Sequence, residues 1–552
     1  MAEFTEEEKR VIAPFFTNLD KPVFALKNLP EVVKGALFSR YSRSAKSLRR
    51  VLLDEFINKP EMGFREIVGR QGGGEQLVAI QKAEEFYSRV LVGYGDDSVG
   101  ELGGAHLAVE NVSQIAAKII EDSRIGISPL EKSTRYVRFD DREDGKWRYY
   151  REPRIMDSVF AKMYEKTCDM LFEAYSSMAG PMMKFVEKSA PLETSRFFDA
   201  AQQREIPYGE MKDEKLKKRA ETAYRSSVRA NALDILRVIL PASTLTNIGL
   251  FGNGRAFEYL LVKMYSGGLA EAKETAKAMH NELMCVIPSF VKRADDRYGK
   301  AQQEYLAAGR ERVSSLSPIG SSAAEDIVKL ADYEKEPIDR VCAHIMYPAS
   351  NASLGELLEF CKGRSMQEKL EIIDSYVGVR KNRRQKPGRA FENIYYTFDI
   401  LADFGIYRDL QRHRVLTQER QLLTCFHGYE VPAGFREAGL EKGFREAMET
   451  AREAWERVYE KYPEEAQYVV PMAYRIRWYF TINLRELFHF IELRTMPQGH
   501  PAYRLLCQKM LRELEKTHPY FAKHFRFADM STYYLGRLKS ELKTEEKRES
   551  FG

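Results

Sequence analysis

Two stretches of this chain, Pro241-ASTLTNIGLFG-Asn253-G-Arg255-AFEYLLVKM and Pro471-MAYRIRWYFTI-Asn483-L-Arg485-ELFHFIELR, decide how the rest is read. In each, twelve positions separate the proline from the asparagine, and Asn-x-Arg opens a run that is apolar at helical spacing. Phe257, Leu260, Leu261 and Met264 mark that face in the first stretch, and Leu484, Leu487, Phe488 and Ile491 mark it in the second. Repetition at so long a period predicts two copies of one module in tandem.

A second anchor lies upstream of each. Glu101-LGGAHLAVENVSQIAAKIIEDS resembles Glu392-NIYYTFDILADFGIYRDLQRHR: a short extended run, then a helix that leads into a polar knot. The first copy carries about sixty extra residues between that knot and its Asn-x-Arg, by the same comparison of the two copies. They include a charged stretch, Met211 to Arg237, expected to pack outside the shared core. Ser314 to Asp326 is rich in Ser, Pro and Gly and reads as a linker. The expected domains are therefore 1–310, with a helical insertion near 140–235, a linker at 311–335, and 336–552. Long helices are expected over 159–187, 214–239, 255–283, 437–460 and 484–515, with a few short strands. The fold class that follows is α+β: two tandem, helix-rich domains with small β-sheets.

The 552 residues are enough for two cores, and 44% hydrophobic with 30% charged is ordinary globular composition. A formal charge of +5, from 86 basic and 81 acidic residues, gives no electrostatic case for a nucleic-acid partner. The six cysteines include no CxxC pair, which argues against a disulfide framework and a cysteine zinc site and points to a reducing compartment. No run approaches the roughly twenty apolar residues of a membrane span. The first residues, MAEFTEEEKRVIAPFF, do not read as a signal peptide, so the expected location is the cytoplasm.

Few residues carry chemistry on their own pattern. Arg412-His413-Arg414 closes an expected helix; such a triplet suits a phosphate, since arginine presents a planar charged fork, and it equally suits a solvated basic helix end. Ser133-x-Arg135 also reads as a loop with local hydroxyl–backbone bonds. Arg237 and Arg494 alone read as ordinary ion-pair partners. No zinc, cysteine-nucleophile or Ser-His-Asp constellation is present, and no metal site is expected.

In combination these residues resemble the flavin-dependent thymidylate synthases, over roughly 30–300 and 340–530. That family's signature is RHRxxS with a second serine five residues later and then x-Arg. The second copy matches its front half with Arg412-His413-Arg414-VL-Thr417, and departs at Leu422 and Thr424. The first copy matches its back half with Ser128-PL-Glu131-K-Ser133-T-Arg135-Tyr136, and has Asp122-Ser123-Arg124 where the triplet would stand. The arginine eleven residues after the asparagine is Arg494 in the second copy and Met264 in the first. The arginine before the proline is Arg237 in the first and Gln467 in the second. Asp409 stands where the family has glutamine, and His489 and Tyr259 stand where it has a flavin-contacting asparagine.

The resemblance implies methylation of dUMP to dTMP with FAD, with methylenetetrahydrofolate and NADPH as co-substrates. Arg412, Glu131, Ser133, Arg135 and Arg237 would bind dUMP, and Arg494 would act on its ring as the catalytic residue. His413, Arg414, Asn483, Arg485, Asn253, Arg255, Ser98 and Glu101 would hold FAD. The losses in the two copies are complementary, so one composite site of both repeats would be complete. A homodimer would then stand in for the family's tetramer. The alternative is a non-catalytic or altered-substrate relative that binds flavin or a uracil nucleotide.

Overall fold

Asn253 and Asn483 each end a strand and start a helix in the same way. With extended backbone (φ −80° and −77°), each turns its side chain back to accept the amide of the third residue onward, Ala256 and Glu486, at 2.8 Å. That satisfies one of the amides a helix start leaves open. The computed structural model describes residues 4–59, 97–123, 125–199, 204–317 and 327–551, apart from the side chains of 97, 98 and 549–551.

The chain forms two compact units, 1–132 with 246–319 and 133–245 with 320–552. In the first, β1 (Gly104–Ser113) leads into α1 (Gln114–Glu121), followed by β2 (Ile127–Glu131). Then come β3 (Leu245–Asn253), which lies in this unit from Thr246 on, α2 (Gly254–Tyr265) and α3 (Ala270–Met284). The sheet order is β1-β3-β2. Its inner face and the apolar face of α2, with Phe257, Leu260, Leu261 and Met264 all fully buried, form the core.

The second unit has β4 (Val328–Tyr333), β5 (Tyr395–Asp403), α4 (Phe404–Leu410) and β6 (Thr417–Arg420). It continues with β7 (Arg475–Asn483), α5 (Leu484–Arg494) and α6 (Pro501–Thr517). Here the order is β6-β7-β5-β4, with β7 running antiparallel to β5 from Arg475 opposite Asp403 to Asn483 opposite Tyr395. Without the added edge strand β4, this is the order of the first unit, and each central strand ends in Asn-x-Arg. The duplication is thus visible in topology.

The two repeat starts meet inside the second unit. Pro241 and Pro471 form an antiparallel bridge. The Ala242 amide donates to the Val470 carbonyl (2.9 Å) and the Met472 amide to Leu240 (3.0 Å). Ser243 donates to Tyr468 (3.0 Å) and Ala473 to Val238 (2.8 Å). Each bond has its reciprocal at equivalent positions of the repeats, the pattern of a two-fold interface, here within one chain.

Several expected boundaries shift. Residues 133–245 belong to the second unit, including the helix Glu214–Leu236, which buries Ala223, Tyr224, Val228 and Leu233 rather than lying outside a core. The expected linker 311–335 begins in the end of the helix Arg297–Ser314 and includes β4; its residues 318–326 lie outside the described ones. The expected helix 255–283 is two helices parted at Ser266-Gly267-Gly268-Leu269, and 484–515 is two parted at 495–500. Glycine pairs and the Pro497-x-Gly499-x-Pro501 run interrupt helices, for entropy in one case and lost amides in the other.

Candidate active site

Asp403 caps α4 by accepting the Ile406 amide (2.9 Å), and near the other end α4 presents Asp409, which is buried. Three guanidinium groups close on that carboxylate. Arg135 Nη2 donates to Oδ2 at 2.8 Å, Arg237 Nη2 to the same oxygen at 2.7 Å, and Arg412 Nη2 to Oδ1 at 3.0 Å. Burial opposes the charge of Asp409, but the three arginines outweigh it and hold its pKa well below the usual carboxylate range. The structure therefore brings Arg135 and Arg237 of the first repeat together with Arg412 of the second, all within one compact unit.

Asp234 extends the cluster. Its Oδ2 takes Arg537 Nη2 at 2.8 Å and its Oδ1 lies 3.3 Å from Arg135 Nε. Four arginines around two aspartates leave two positive charges in surplus. Arg237 Nε and Arg537 Nη1 are buried with no hydrogen-bond partner among the described residues. A buried donor left open costs about 1–3 kcal/mol, more when charged, so both the surplus and the open donors suit an added anion. His500 stays neutral beside them, pushed down to about 4 by burial and by Arg237.

Tyr503, on α6, links this cluster to Arg494. Its buried ring has the Arg135 guanidinium 5.3 Å from its centroid and that of Arg494 5.6 Å away. Arg494 Nε in turn donates to His413 Nε2 at 2.9 Å. That nitrogen must accept, so the neutral ring carries its proton on Nδ1, which faces Glu486 Oε1 at 3.1 Å. Burial first, then Arg494 and Arg412, hold the His413 pKa well below its ordinary value.

His413, Glu486 and His489 set three ligand-type atoms within 4.8 Å of one another. Arg494 already occupies one of the histidine nitrogens, and Lys386, Arg383 and Arg485 add positive field to this corner. Its chemistry suits an anionic cofactor better than a cation.

The other expected site residues are placed as follows. Ser133 Oγ accepts the Arg135 amide (3.3 Å), a local loop bond. Glu131 lies in the first unit, where it pairs with the buried Lys118 at 2.8 Å. Asn253 and Asn483 are the helix caps already described. Arg255 pairs with Glu101 (2.9 Å), and Arg485 pairs with Glu392 (3.3 Å), the same Arg–Glu link in both repeats. Arg414 is exposed, and the side chain of Ser98 lies outside the described residues. Sequence reasoning missed Asp234, Tyr503 and Arg537. Asp234 and Arg537 are 303 positions apart, so no local spacing betrays their contact.

The family model described as thymidylate synthase complementing protein matches residues 50–289 and 329–520, one segment for each repeat. A UPF0159 protein of Chlamydia pneumoniae is 45% identical over 552 residues, covering 98% of both chains. A flavin-dependent thymidylate synthase of Sulfurisphaera tokodaii is 32% identical over 144 residues, covering 23% of this chain and 53% of that protein. Among solved structures, a UMP/dUMP methylase from Streptomyces cacaoi, bound with 5-Br dUMP, is similar at 21% identity and a TM-score of 0.28. That alignment covers 36% of this chain and 94% of the other. Among the described residues, no helix is long and apolar enough to cross a membrane.

Proposed function

This chain belongs to the thymidylate synthase complementing protein family, and from that premise we propose that it is a flavin-dependent thymidylate synthase, methylating dUMP to dTMP at a site drawn from both repeats. One observation carries the reading: Arg135, Arg237 and Arg412 converge beside Arg494, with positive charge in surplus and buried donors open. In this reading the phosphate of dUMP meets Arg135, Arg237 and Arg412, whose forks suit a phosphate dianion. Arg494, oriented by His413 and Tyr503, would sit beside the uracil N3 and O4 and stabilise negative charge on the ring, which makes C5 the nucleophile. Glu486 holds His413 in the tautomer that accepts from Arg494.

FAD would be held at the corner of His413, Asn483 and Arg485, with Arg414 as a further contact. The positive field of Lys386, Arg383 and Arg485 fits its phosphates. When bound it supplies the reducing equivalents, while the protein binds and orients. Methylenetetrahydrofolate and NADPH are the co-substrates of this reading, a homodimer its assembly and the cytoplasm its location.

Asp409 favours a second reading, a non-catalytic or altered-substrate relative that binds flavin, because its carboxylate already engages the arginines the phosphate of dUMP would need. Tritium release from 5-tritiated dUMP by the purified protein with FAD, folate donor and NADPH separates the two. Release supports synthesis of dTMP. Bound flavin without release points to the altered substrate, and protein that binds no flavin defeats both.

A further inference from the structure

A cavity of about 350 Å³ opens within the second unit, adjoining the arginine cluster through Val238 and Asp403, with none of the cluster's arginines on its lining. Helix α6 serves both from different faces. Ala502, Leu505, Leu506 and Lys509 line the cavity, whereas Tyr503 points to Arg135 and Arg494, about a third of a turn around the helix. The volume is that of a small-ligand site rather than a packing defect.

Its chemistry is divided. Val238, Leu401, Ile406, Val431 and Ala473 give apolar walls. Arg436, Arg475 and Lys509 set three positive charges on the lining against the carboxylates Glu430 and Asp403. Arg475 is fixed, since its Nε donates to the His427 carbonyl at 2.7 Å. Neither Arg436 nor Lys509 is in an ion pair among the described residues, so both are available to a ligand. Asp403, pushed up to about 6 by burial against the pull of the Ile406 amide and Arg237, is largely neutral in mildly acid solution. The basic groups then prevail. An apolar chamber with unpaired basic groups selects a ring that carries an anionic group.

We propose that this cavity is a second small-molecule site, which takes an aromatic monoanion with its ring against Val238, Leu401 and Ala473 and its charge at Arg436, Arg475 and Lys509. The proposal is independent of the activity assigned to the arginine cluster.

Fluorescence titration of the full chain with anilinonaphthalene sulfonate, an aromatic monoanion, tests it. The expected result is a saturable component that Arg436→Glu and Lys509→Glu each weaken about tenfold, the effect of one charge contact near 1.4 kcal/mol. Ala502→Trp, which fills the chamber, removes that component, and Arg135→Ala leaves it unchanged. Dye binding indifferent to both charge reversals overturns the proposal, even if the tryptophan variant does not fold. Loss of dye binding in an Arg135→Ala chain whose far-UV circular dichroism is unchanged overturns it too, because it places the dye in the arginine cluster.

Discussion

Arg494 gives its Nε hydrogen to Nε2 of His413 across 2.9 Å. The arginine expected to act on the substrate ring is thereby steered by the histidine of the RHR triplet, and that histidine by Glu486 at 3.1 Å. His413 lies one step from the chemistry in this arrangement. His413→Ala should lower kcat for tritium release by roughly 10–100-fold, the usual effect of losing an orienting partner, with a smaller change in KM. His413→Gln, which keeps an acceptor for Arg494, should recover part of it. Equal loss in both variants would argue against orientation through that acceptor.

Asp409 is shared by Arg135, Arg237 and Arg412. Asp409→Asn should destabilise the ligand-free protein by about 3–5 kcal/mol, because it strands buried charges. The same variant should bind inorganic phosphate more tightly than the parent and regain stability with it. Denaturant melts with and without phosphate check this, and a deficit that phosphate leaves untouched would show that no anion can replace the carboxylate.

Arg135 and Arg412 serve one cluster in one chain. Arg135→Ala and Arg412→Ala should each abolish most tritium release, and mixing the two inactive proteins should restore none of it. Recovery on mixing would mean that working sites draw these arginines from different chains.

Burial keeps several histidines neutral in the folded protein. His489 and His500 are pushed down to about 4, and His413 well below its usual value. Below roughly pH 6.5 the unfolded chain protonates these rings and the folded chain does not, so stability falls as pH drops from there toward 4. Asp403, raised to about 6, and Glu152 and Glu486, also raised by burial, work in the opposite sense over part of this range, three carboxylates against seven histidines lowered by burial among the described residues. Urea midpoints at pH 7 and pH 5 should show the fall, and His500→Asn should flatten it; a midpoint that rises on acidification would contradict this account.

Asn483→Ala removes a cap and should cost about 1 kcal/mol whether or not flavin is present. Stability measured with and without FAD separates that local role from a contact with the cofactor.

The periodic signals were legible in the sequence. The faces of α2 and α5, the strand before each, and the duplication follow from apolar spacing, because burial of one helix face imposes it. Helix breaks at Gly267-Gly268 and Pro497-x-Gly499 were legible too, in residues that the periodicity overrode. The unit boundary was not, since residues 133–245 join the second unit through contacts remote in sequence. In the sequence Asp409 is only an acid standing where the family has glutamine. Its actual partners, two of them some 170 to 270 positions away, make it the balancing charge of the cluster.

The reciprocal bonds between the Pro241 and Pro471 segments have a consequence for how the protein behaves on dilution. An interface between separate chains obeys mass action and is lost as concentration falls below its dissociation constant. Here both halves are carried on one polypeptide, at a high and fixed effective concentration. The cluster of Arg135, Arg237 and Arg412 should therefore persist at the scarcest cellular abundance. Each half is then free to shed the groups its counterpart still supplies, because the partner it meets at this interface is always the other half.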